Sequence, residues 1–264
     1  MSLFEDNSKQ SLIDISNTVH EVGYESLLLV YDSFLDNAVI TVANTINENH
    51  SFKYIIAVRT YSVSPEYLAG MYETFEKLYP GRVTFNIIPG NIKFQETSLK
   101  DVVLIEDQIK TQEQRDIYTV EWLKKYNKLS IKKNLPPLML SGHTVDFQKT
   151  SFEYGITNIM QMGDFLNQGE SVIKNKNQIV SVAISIKDAD ESINDRLKKI
   201  IAPHSSYTIF GDKDDIYIKL CNLEEYGVSD VLIHQLPDGR GSSGIHSLIK
   251  DIKNRAMPFS KEMI

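Results

Sequence analysis

The chain has 264 residues, of which 42% are hydrophobic and 24% are charged, so it can bury the core of one large α/β domain or of two small ones. A net charge of −7 without a basic stripe argues against a nucleic-acid partner, and the single cysteine, Cys221, excludes an internal disulfide framework and suits a reducing compartment. No apolar run reaches the about 18 residues of a membrane span, and the polar start MSLFEDNSKQ is not a secretory signal, so we expect a cytoplasmic protein without a membrane partner.

Short β-branched apolar runs alternate along the chain with segments of helical period, which is the pattern of βα units around a parallel sheet. Apolar residues at steps of three and four over 11–22, followed by Gly23, predict a first amphipathic helix. Ser64 as N-cap before Pro65 predicts the start of another helix, which Gly81 follows. The predicted strands are 26–31, 54–59, 82–88, 137–141, 158–162, 179–186 and 230–235, and further helices are predicted at 36–47, 112–129, 144–154, 190–201 and 212–226.

Strands separated by helices in a chain of this length predict a TIM (β/α)8-type barrel in a single domain, residues 1–264, rather than an open doubly wound sheet. Seven strands are predicted, and the missing one would precede the first helix, where only residues 1–10 are available. MSLF is a poor strand, so the first strand is expected to be weak or missing. Either MSLF takes its place or another segment covers the strand edges that a gap would expose.

A charged residue ends the second predicted strand. In AVRTYSVSPEYLAG (57–70), Arg59 occupies the strand tip, and the next helix begins a few residues later. A guanidinium group cannot lose its charge and is costly to bury unpaired, so its position indicates a polar site at this end of the strand. The alternative is a surface arginine whose charged group extends from the sheet edge into solvent.

Several segments, in order, resemble the bacterial-luciferase-like flavin monooxygenases, above all their alkanesulfonate monooxygenase branch. The segment AVRTYSVSPEYLAGMYETFEKLYPGRVTFNIIPG (57–90) resembles a block of that family that consists of a strand, a loop, a helix and a strand. The segment QRDIYTVEWLKKY (114–126) resembles the family's arginine-containing helix. The segment PPLMLSGHTVDFQKTSFEYGITNIMQMGD (136–164) is similar to a family block that consists of a strand, a small-residue turn, a helix and a strand. The segment FGDKDDIYIKLCNLEEYGVSDVLIHQ (210–235) is similar to the family's closing helix and last strand. The resemblance covers 11–255 with short gaps and implies a luciferase-like barrel.

The resemblance implies reduced FMN as the cofactor. Its phosphate needs N–H groups and hydroxyls, and its ring needs an apolar slot with a few polar contacts, at the carboxyl ends of barrel strands. SGHT (141–144) lies at such an end, before a helix, where N–H groups and hydroxyls favour an anion. The alternatives are an ordinary N-cap at the threonine of this turn and, for the asparagine of strand 82–88, a buried amide satisfied by the backbone. The expected cofactor-binding residues are Asn86, Ser141, Gly142, His143 and Thr144.

Two residues are predicted to act on the substrate or on oxygen. By the resemblance, Arg59 lies at the active-site mouth, where it would pair with a flavin edge, an oxygen-derived anion or an anionic substrate. His234 lies near the end of the last strand and is the candidate proton-transfer group. The alternative for His234 is a buried histidine without a chemical role. No metal site is expected, because the sequence has no HExxH pattern and no calcium-loop spacing.

Some family positions are replaced in this chain. Pro89 occupies a position where the family often has threonine, which removes a hydroxyl and a backbone N–H. Asp116 replaces the tyrosine that usually follows Arg115, and strand 179–186 lacks the arginine and histidine of the sulfonate branch. Sulfonate cleavage by the family's usual residues is therefore not expected.

The resemblance implies a two-component monooxygenase that takes reduced FMN from a separate flavin reductase and oxidises a small organic substrate. Family members commonly pair through barrel helices, and a thin first strand leaves an edge to cover, so a homodimer is expected. Two alternatives stay open. One is a degenerate relative that binds flavin, a partner or no cofactor and has no catalysis, and the other is an oxidoreductase that uses deazaflavin.

Overall fold

The structure is a computed structural model, and its described residues gather into two compact units. We call them the N-terminal unit, which contains 9–13 and 26–159, and the C-terminal unit, which contains 14–25 and 160–256. Each unit is described by itself below. The residues that the structure describes are 9–29, 37–47, 52–89, 111–142, 144–167, 178–235 and 243–256.

Helices and strands alternate along both units. Through the N-terminal unit the elements are α1 (Lys9–Val22, which continues into the other unit), β1 (Ser26–Leu29), α2 (Ala38–Thr45), β2 (Lys53–Arg59), α3 (Pro65–Leu78), β3 (Val83–Ile88), α4 (Gln112–Lys133), β4 (Met139–Ser141), α5 (Val145–Tyr154) and β5 (Thr157–Gln161). The following elements are α6 (Met162–Asn167), β6 (Gln178–Ile186), α7 (Glu191–Ile201), a 3-10 helix (Ala202–Tyr207), β7 (Thr208–Gly211), α8 (Lys213–Glu225), β8 (Asp230–Gln235) and α9 (Ser243–Ala256).

The strands of the N-terminal unit pair in chain order, from β1 through β5, and every pair is parallel. Because the connections are helical crossovers, the carboxyl ends of these strands meet at one edge of the sheet. Ala57 lies opposite Asn86 in the register of β2 and β3, and Asn86 lies opposite Met139 of β4. Ser141 of β4 in turn lies opposite Ile159 of β5.

Helix α3 covers one face of this sheet. Its start follows the predicted pattern, since the Ser64 side chain accepts a hydrogen bond from the Tyr67 N–H and Pro65 occupies the first turn. The Phe85 ring of β3 packs edge-on against the Tyr72 ring, with centroids 5.1 Å apart, and all of its surface is buried. Successive strand residues point to opposite faces, so Asn86 projects from the face away from α3.

Strand β6 is the centre of the C-terminal unit. It pairs in parallel with β7 along residues 183–186 and with β8 along residues 179–184. Val182 and Ile184 of β6 pack into a core with residues of α8 and α9, whereas Ala183 packs on the opposite face with Leu197 and Ile201 of α7. Both faces of β6 are therefore covered within this unit, which explains its nearly continuous apolar sequence.

The predicted strands are all present, with ends that differ by at most two residues where the structure describes them. Strand β7, Thr208–Gly211, was not predicted because TIFG is four residues long and directly follows the 3-10 helix. Helix α4 continues to Lys133, beyond its predicted end at 129, and Asn134 then ends it in a left-handed conformation with φ 52°. Residues 1–8, which carry the prediction about a first strand, lie outside the described residues, and the single-domain prediction stays a prediction.

Candidate functional site

The polar residues predicted at the strand tips of the N-terminal unit lie along one edge of its sheet. Arg59 is the last residue of β2, Asn86 lies near the end of β3, and Ser141 is the last residue of β4. Because Ala57 is the register partner of Asn86, Arg59 and Asn86 belong to the same face of the sheet. The spacing of strands and residues puts their Cα atoms about 8 Å apart.

Asn86 and Ser141 contact each other directly. The Asn86 Nδ2 group donates a hydrogen bond to the Ser141 Oγ at 2.9 Å. The Ser141 hydroxyl lies 3.1 Å from the Asn86 Oδ1, to which it can donate a hydrogen bond. Asn86 is 1% exposed, so this buried amide is satisfied by a side chain and not by the backbone contact of the alternative interpretation. An amide nitrogen carries two N–H groups, and Ser141 takes one of them.

The turn after β4 is organised by the start of helix α5. The Thr144 hydroxyl accepts a hydrogen bond from the Phe147 N–H at 3.4 Å. Thr144 is therefore the N-cap of α5, which is the alternative to phosphate binding that the sequence left open for this residue. A Cβ at Gly142 would lie 2.1 Å from the Phe147 ring, so glycine lets that ring pack against the turn. Asp146 adds a carboxylate in the first turn of α5. An anion here would rely more on main-chain N–H groups than on the two hydroxyls, and His143 lies outside the described residues.

Arg59 is half-buried rather than extended into solvent. Its Nη1 donates a hydrogen bond to the Tyr61 hydroxyl at 2.6 Å, and its Cζ lies 5.7 Å from the centroid of the Tyr61 ring. Arg59 therefore contacts Tyr61 at its hydroxyl and approaches its ring. The side chain at the tip of β2 has a defined orientation at the sheet edge.

A second arginine, Arg115 of α4, lies against the same ring. Its Cζ is 5.4 Å from the Tyr61 centroid, and the residue is 7% exposed. We call Arg59, Tyr61 and Arg115 the arginine–tyrosine cluster. The sequence indicated Arg115 only as part of a family-like helix, because nothing in the local sequence tells which loop the helix packs against.

Two hydrogen bonds fix the loop that follows β2 to helix α4. The Thr60 and Thr119 hydroxyls are 3.1 Å apart, and the Trp122 Nε1 donates to the Val63 carbonyl oxygen at 2.8 Å. Thr60 and Thr119 are buried, so the contact between their hydroxyls is protected from water. The loop therefore holds Tyr61 in place between contacts on either side of it.

The replaced family positions lie close to this part of the unit. The Asp116 Oδ1 accepts a hydrogen bond from the Gln112 Nε2 at 2.9 Å, within the first turns of α4. Thr111 and Gln114 form a capping box at the start of this helix, so its first N–H groups are partly satisfied by side chains. Pro89 directly follows β3 and is half-buried.

His234, the predicted proton-transfer residue, belongs to the C-terminal unit. Its backbone lies on β8, opposite Ala183 of β6. Its side chain lies outside what the structure describes, so its predicted role stays a prediction. The structure thus brings Asn86 and Ser141 into contact and orients Arg59 on the same sheet, but says nothing of the His234 imidazole.

Within the described ranges, no group of three or more histidine, cysteine, aspartate or glutamate side chains is arranged to hold a metal ion. None of the helices in those ranges is both long enough and apolar enough to cross a membrane.

Comparison with known sequences gives no match. No family model matches the chain, and no curated protein matches it either.

Comparison with solved structures does give matches over most of the chain. The EDTA monooxygenase EmoA from Chelativorans sp. BNC1 is 10% identical, with 94% of this chain and 87% of that chain covered and a TM-score of 0.69. The oxygenating constituent of 3,6-diketocamphane monooxygenase from Pseudomonas putida, solved in complex with FMN, is 11% identical, with 96% and 93% covered and a TM-score of 0.65. An F420-dependent secondary alcohol dehydrogenase is 13% identical, with 92% and 94% covered and a TM-score of 0.63.

These neighbours confirm the predicted fold class, a TIM-barrel-type α/β fold. They include luciferase-like monooxygenases, so the resemblance seen in the sequence is confirmed for the fold. At these identities the likeness shows the fold alone. The alkanesulfonate branch, the cofactor and the roles of individual residues stay predictions.

Proposed function

We propose that this chain is a flavin-dependent monooxygenase, which oxidises a small organic substrate with reduced FMN from a separate flavin reductase. The observation that carries the proposal is the Asn86–Ser141 pair at the carboxyl ends of β3 and β4. In barrels of this type, ligands bind at these strand ends. Support also comes from the fold, which the chain has in common with monooxygenases that include an FMN complex.

The residues present fit a flavin. The ring of a flavin presents carbonyl and N–H groups along one edge, and the Asn86 amide has both a donor and an acceptor to offer on the face away from α3. We propose that Gly142, His143 and Thr144, which precede α5, border the phosphate, and that the first turn of α5 would offer it main-chain N–H groups and the positive end of a helix. The Gly142 N–H itself donates to the Ile159 carbonyl oxygen at 3.2 Å. When bound, the reduced flavin would supply the electrons for the activation of oxygen.

The protein's own groups would orient the ligands and move a proton. Asn86, held by Ser141, would fix the edge of the ring, and Arg59 would stabilise negative charge at the mouth of the site. A guanidinium group keeps its charge at all ordinary pH values, so Arg59 would act electrostatically and not as an acid or base. His234 would carry the proton transfer, because an imidazole titrates near neutral pH.

The remaining parts of the proposal concern the whole chain. Residues 1–264 would form one domain, pair as a homodimer and act in the cytoplasm. Light scattering at micromolar protein concentration tests the assembly, and a purely monomeric species would contradict it.

Titration with anaerobically reduced FMN tests the proposed function. We expect saturable binding below millimolar flavin, and Asn86→Ala should weaken it by about 0.5–1.5 kcal/mol, the net contribution of one neutral hydrogen bond. Asn222→Ala is the matched control, because Asn222 is exposed on α8. Turnover is then measured as oxygen consumption with reduced FMN and candidate substrates. No saturable binding, alone or with a reductase, would reject the proposal.

A deazaflavin is the second candidate cofactor. The F420-dependent secondary alcohol dehydrogenase, solved with an F420-acetone adduct, has a TM-score close to those of the monooxygenases. Competition between reduced FMN and reduced F420 decides between the two. Preferential binding of F420, with no oxygen consumption, would favour an F420-dependent oxidoreductase over a monooxygenase.

A further inference from the structure

We infer that the chain binds its flavin by the ring, that it binds riboflavin nearly as tightly as FMN, and that Asp146 is the residue that opposes the phosphate group. The inference deepens the proposed function and rests on it, because it concerns the same cofactor. It follows from the contacts that already occupy the turn between β4 and α5. The phosphate would border this turn without being held firmly by it.

The main-chain N–H of Gly142 has its partner inside the sheet. It donates to the Ile159 carbonyl oxygen at 3.2 Å, which extends the pairing of β4 with β5 by one residue. The Phe147 ring lies against the same glycine, because a Cβ there would meet it at 2.1 Å, and this ring is buried. Glycine-containing turns that hold a phosphate do so with N–H groups directed at the ligand. The Gly142 N–H is directed at β5 instead.

The two hydroxyls of the turn also have partners. The Ser141 Oγ accepts a hydrogen bond from the Asn86 Nδ2 at 2.9 Å and lies 3.1 Å from the Asn86 Oδ1. The Thr144 hydroxyl accepts a hydrogen bond from the Phe147 N–H, which removes one of the N–H groups that the helix start would otherwise offer to an anion. Thr144 keeps its own hydroxyl hydrogen, so these side chains contribute one neutral donor to a phosphate.

Asp146 supplies a negative charge at the start of α5. It lies in the first turn of this helix and is exposed. A carboxylate at this position already interacts with the positive end of the helix dipole, so a phosphate gains less from that end. The phosphate of FMN carries a charge of about −1.5 to −2 at neutral pH, as phosphomonoesters do, and two anions close together repel each other. This repulsion offsets the single neutral hydrogen bond.

One cation on the same helix acts in the opposite direction. Lys149 lies about one turn beyond Asp146 and is exposed. Water and salt screen the charge of an exposed lysine, so its attraction for an anion contributes little. Helix α5 also carries the carboxylate of Glu153, which leaves the helix with two negative charges and one positive charge. We therefore expect Lys149 not to reverse the effect of Asp146.

Anaerobic calorimetric titrations with reduced FMN and reduced riboflavin test the inference. The two ligands have the same ring and ribityl chain and differ only in the phosphate group. We expect their affinities to agree within about threefold, because one neutral hydrogen bond contributes a factor of about 2 to 10 and the repulsion by a carboxylate offsets most of it. Added salt should change both affinities alike, since a phosphate held by positive charge would make only the FMN affinity fall.

Substitutions on α5 assign the effect to Asp146. Asp146→Asn removes the charge and keeps the shape of the side chain, so it should raise the affinity for FMN by about 2- to 5-fold and leave that for riboflavin unchanged. Glu153→Gln is the matched control, because it removes the same charge at an exposed position about two turns further along the helix and should change neither affinity. Lys149→Gln should lower the affinity for FMN by less than about twofold.

The outcomes separate this inference from the proposed function. Binding of FMN at least about tenfold tighter than that of riboflavin would overturn the inference and leave the proposed function standing. A tenfold loss of FMN affinity in Lys149→Gln would also overturn it, because Lys149 would then hold the phosphate. An equal response of both flavins to Asp146→Asn would overturn the role of Asp146. Nearly equal affinities that diverge in Asp146→Asn support the inference, whereas no saturable binding of either flavin rejects the proposed function and the inference with it.

Discussion

The two units treat the polar residues at their strand ends differently. In the N-terminal unit, Asn86 and Ser141 bind each other across β3 and β4. In the C-terminal unit, the hydroxyl of Ser185, near the end of β6, is 2% exposed and has no hydrogen-bond partner among the residues that the structure describes. An unsatisfied buried hydroxyl lowers stability, whereas a paired one is close to neutral or favourable. Of these two strand-end hydroxyls, only the one in the N-terminal unit is held by a partner.

The largest effect is expected from the face of the N-terminal sheet that carries no polar site. Phe85 is fully buried against Tyr72 of α3, so Phe85→Ala should lower the free energy of unfolding by about 3–5 kcal/mol. Chemical denaturation measures it. Tyr67→Ala on α3 is the control, since Tyr67 is 66% exposed and its substitution should change stability by less than about 0.5 kcal/mol. A small loss at Phe85 would mean that α3 does not pack on β3 as described.

A smaller loss is expected at the turn that begins α5. A methyl group at Gly142 would meet the buried Phe147 ring at 2.1 Å, so Gly142→Ala should cost about 1–3 kcal/mol through overpacking. Gly70→Ala is the matched control, because a Cβ there meets nothing within 4 Å in the middle of α3, and it should stabilise the protein by about 0.5–1 kcal/mol. Equal effects of the two substitutions would show that Phe147 does not constrain the turn.

The comparison of the two serines is sharpest when both receive the same substitution. Ser141→Ala removes the partner of Asn86 and should lower stability by about 0.5–1.5 kcal/mol. Ser185→Ala removes a hydroxyl without a described partner and should leave stability equal or raise it by up to about 1 kcal/mol. Thermal and denaturant unfolding on matched preparations check the two signs. A loss at Ser185 as large as that at Ser141 would abolish the difference between the units.

Much of the fold follows from the sequence, because β-branched runs and helix caps are local signals. Ser64 and Pro65 begin α3 as their types predict, whereas β7 is too short for its period to be read. The site is less predictable. Arg59 and Asn86 are each predicted as site residues at strand ends, but the approach of Arg115 to Tyr61 depends on how α4 packs against a loop more than fifty residues earlier in the chain. Such long-range packing leaves no pattern in a single sequence.

The smallest effect on stability is expected at the residue that raised the question of a site. Arg59→Lys keeps the charge but loses the planar fork, so we expect the melting temperature to reflect a change of less than about 0.5 kcal/mol. The affinity for reduced FMN should nevertheless fall by about 2- to 10-fold, the equivalent of one hydrogen bond, and reduced-FMN turnover should fall with it.

Lys53→Arg is the control for this substitution. Lys53 begins β2 at the opposite end of the same strand and is exposed, so exchange of its cation should change neither stability nor affinity. Melting temperature, affinity for reduced FMN and turnover are measured on the same preparations of both variants. If Arg59→Lys behaves like Lys53→Arg in all three measurements, the guanidinium at the tip of β2 has only a solvated surface role. The difference between the ends of β2 would then disappear, and with it the strongest local reason for locating ligand binding at the carboxyl ends of this unit's strands.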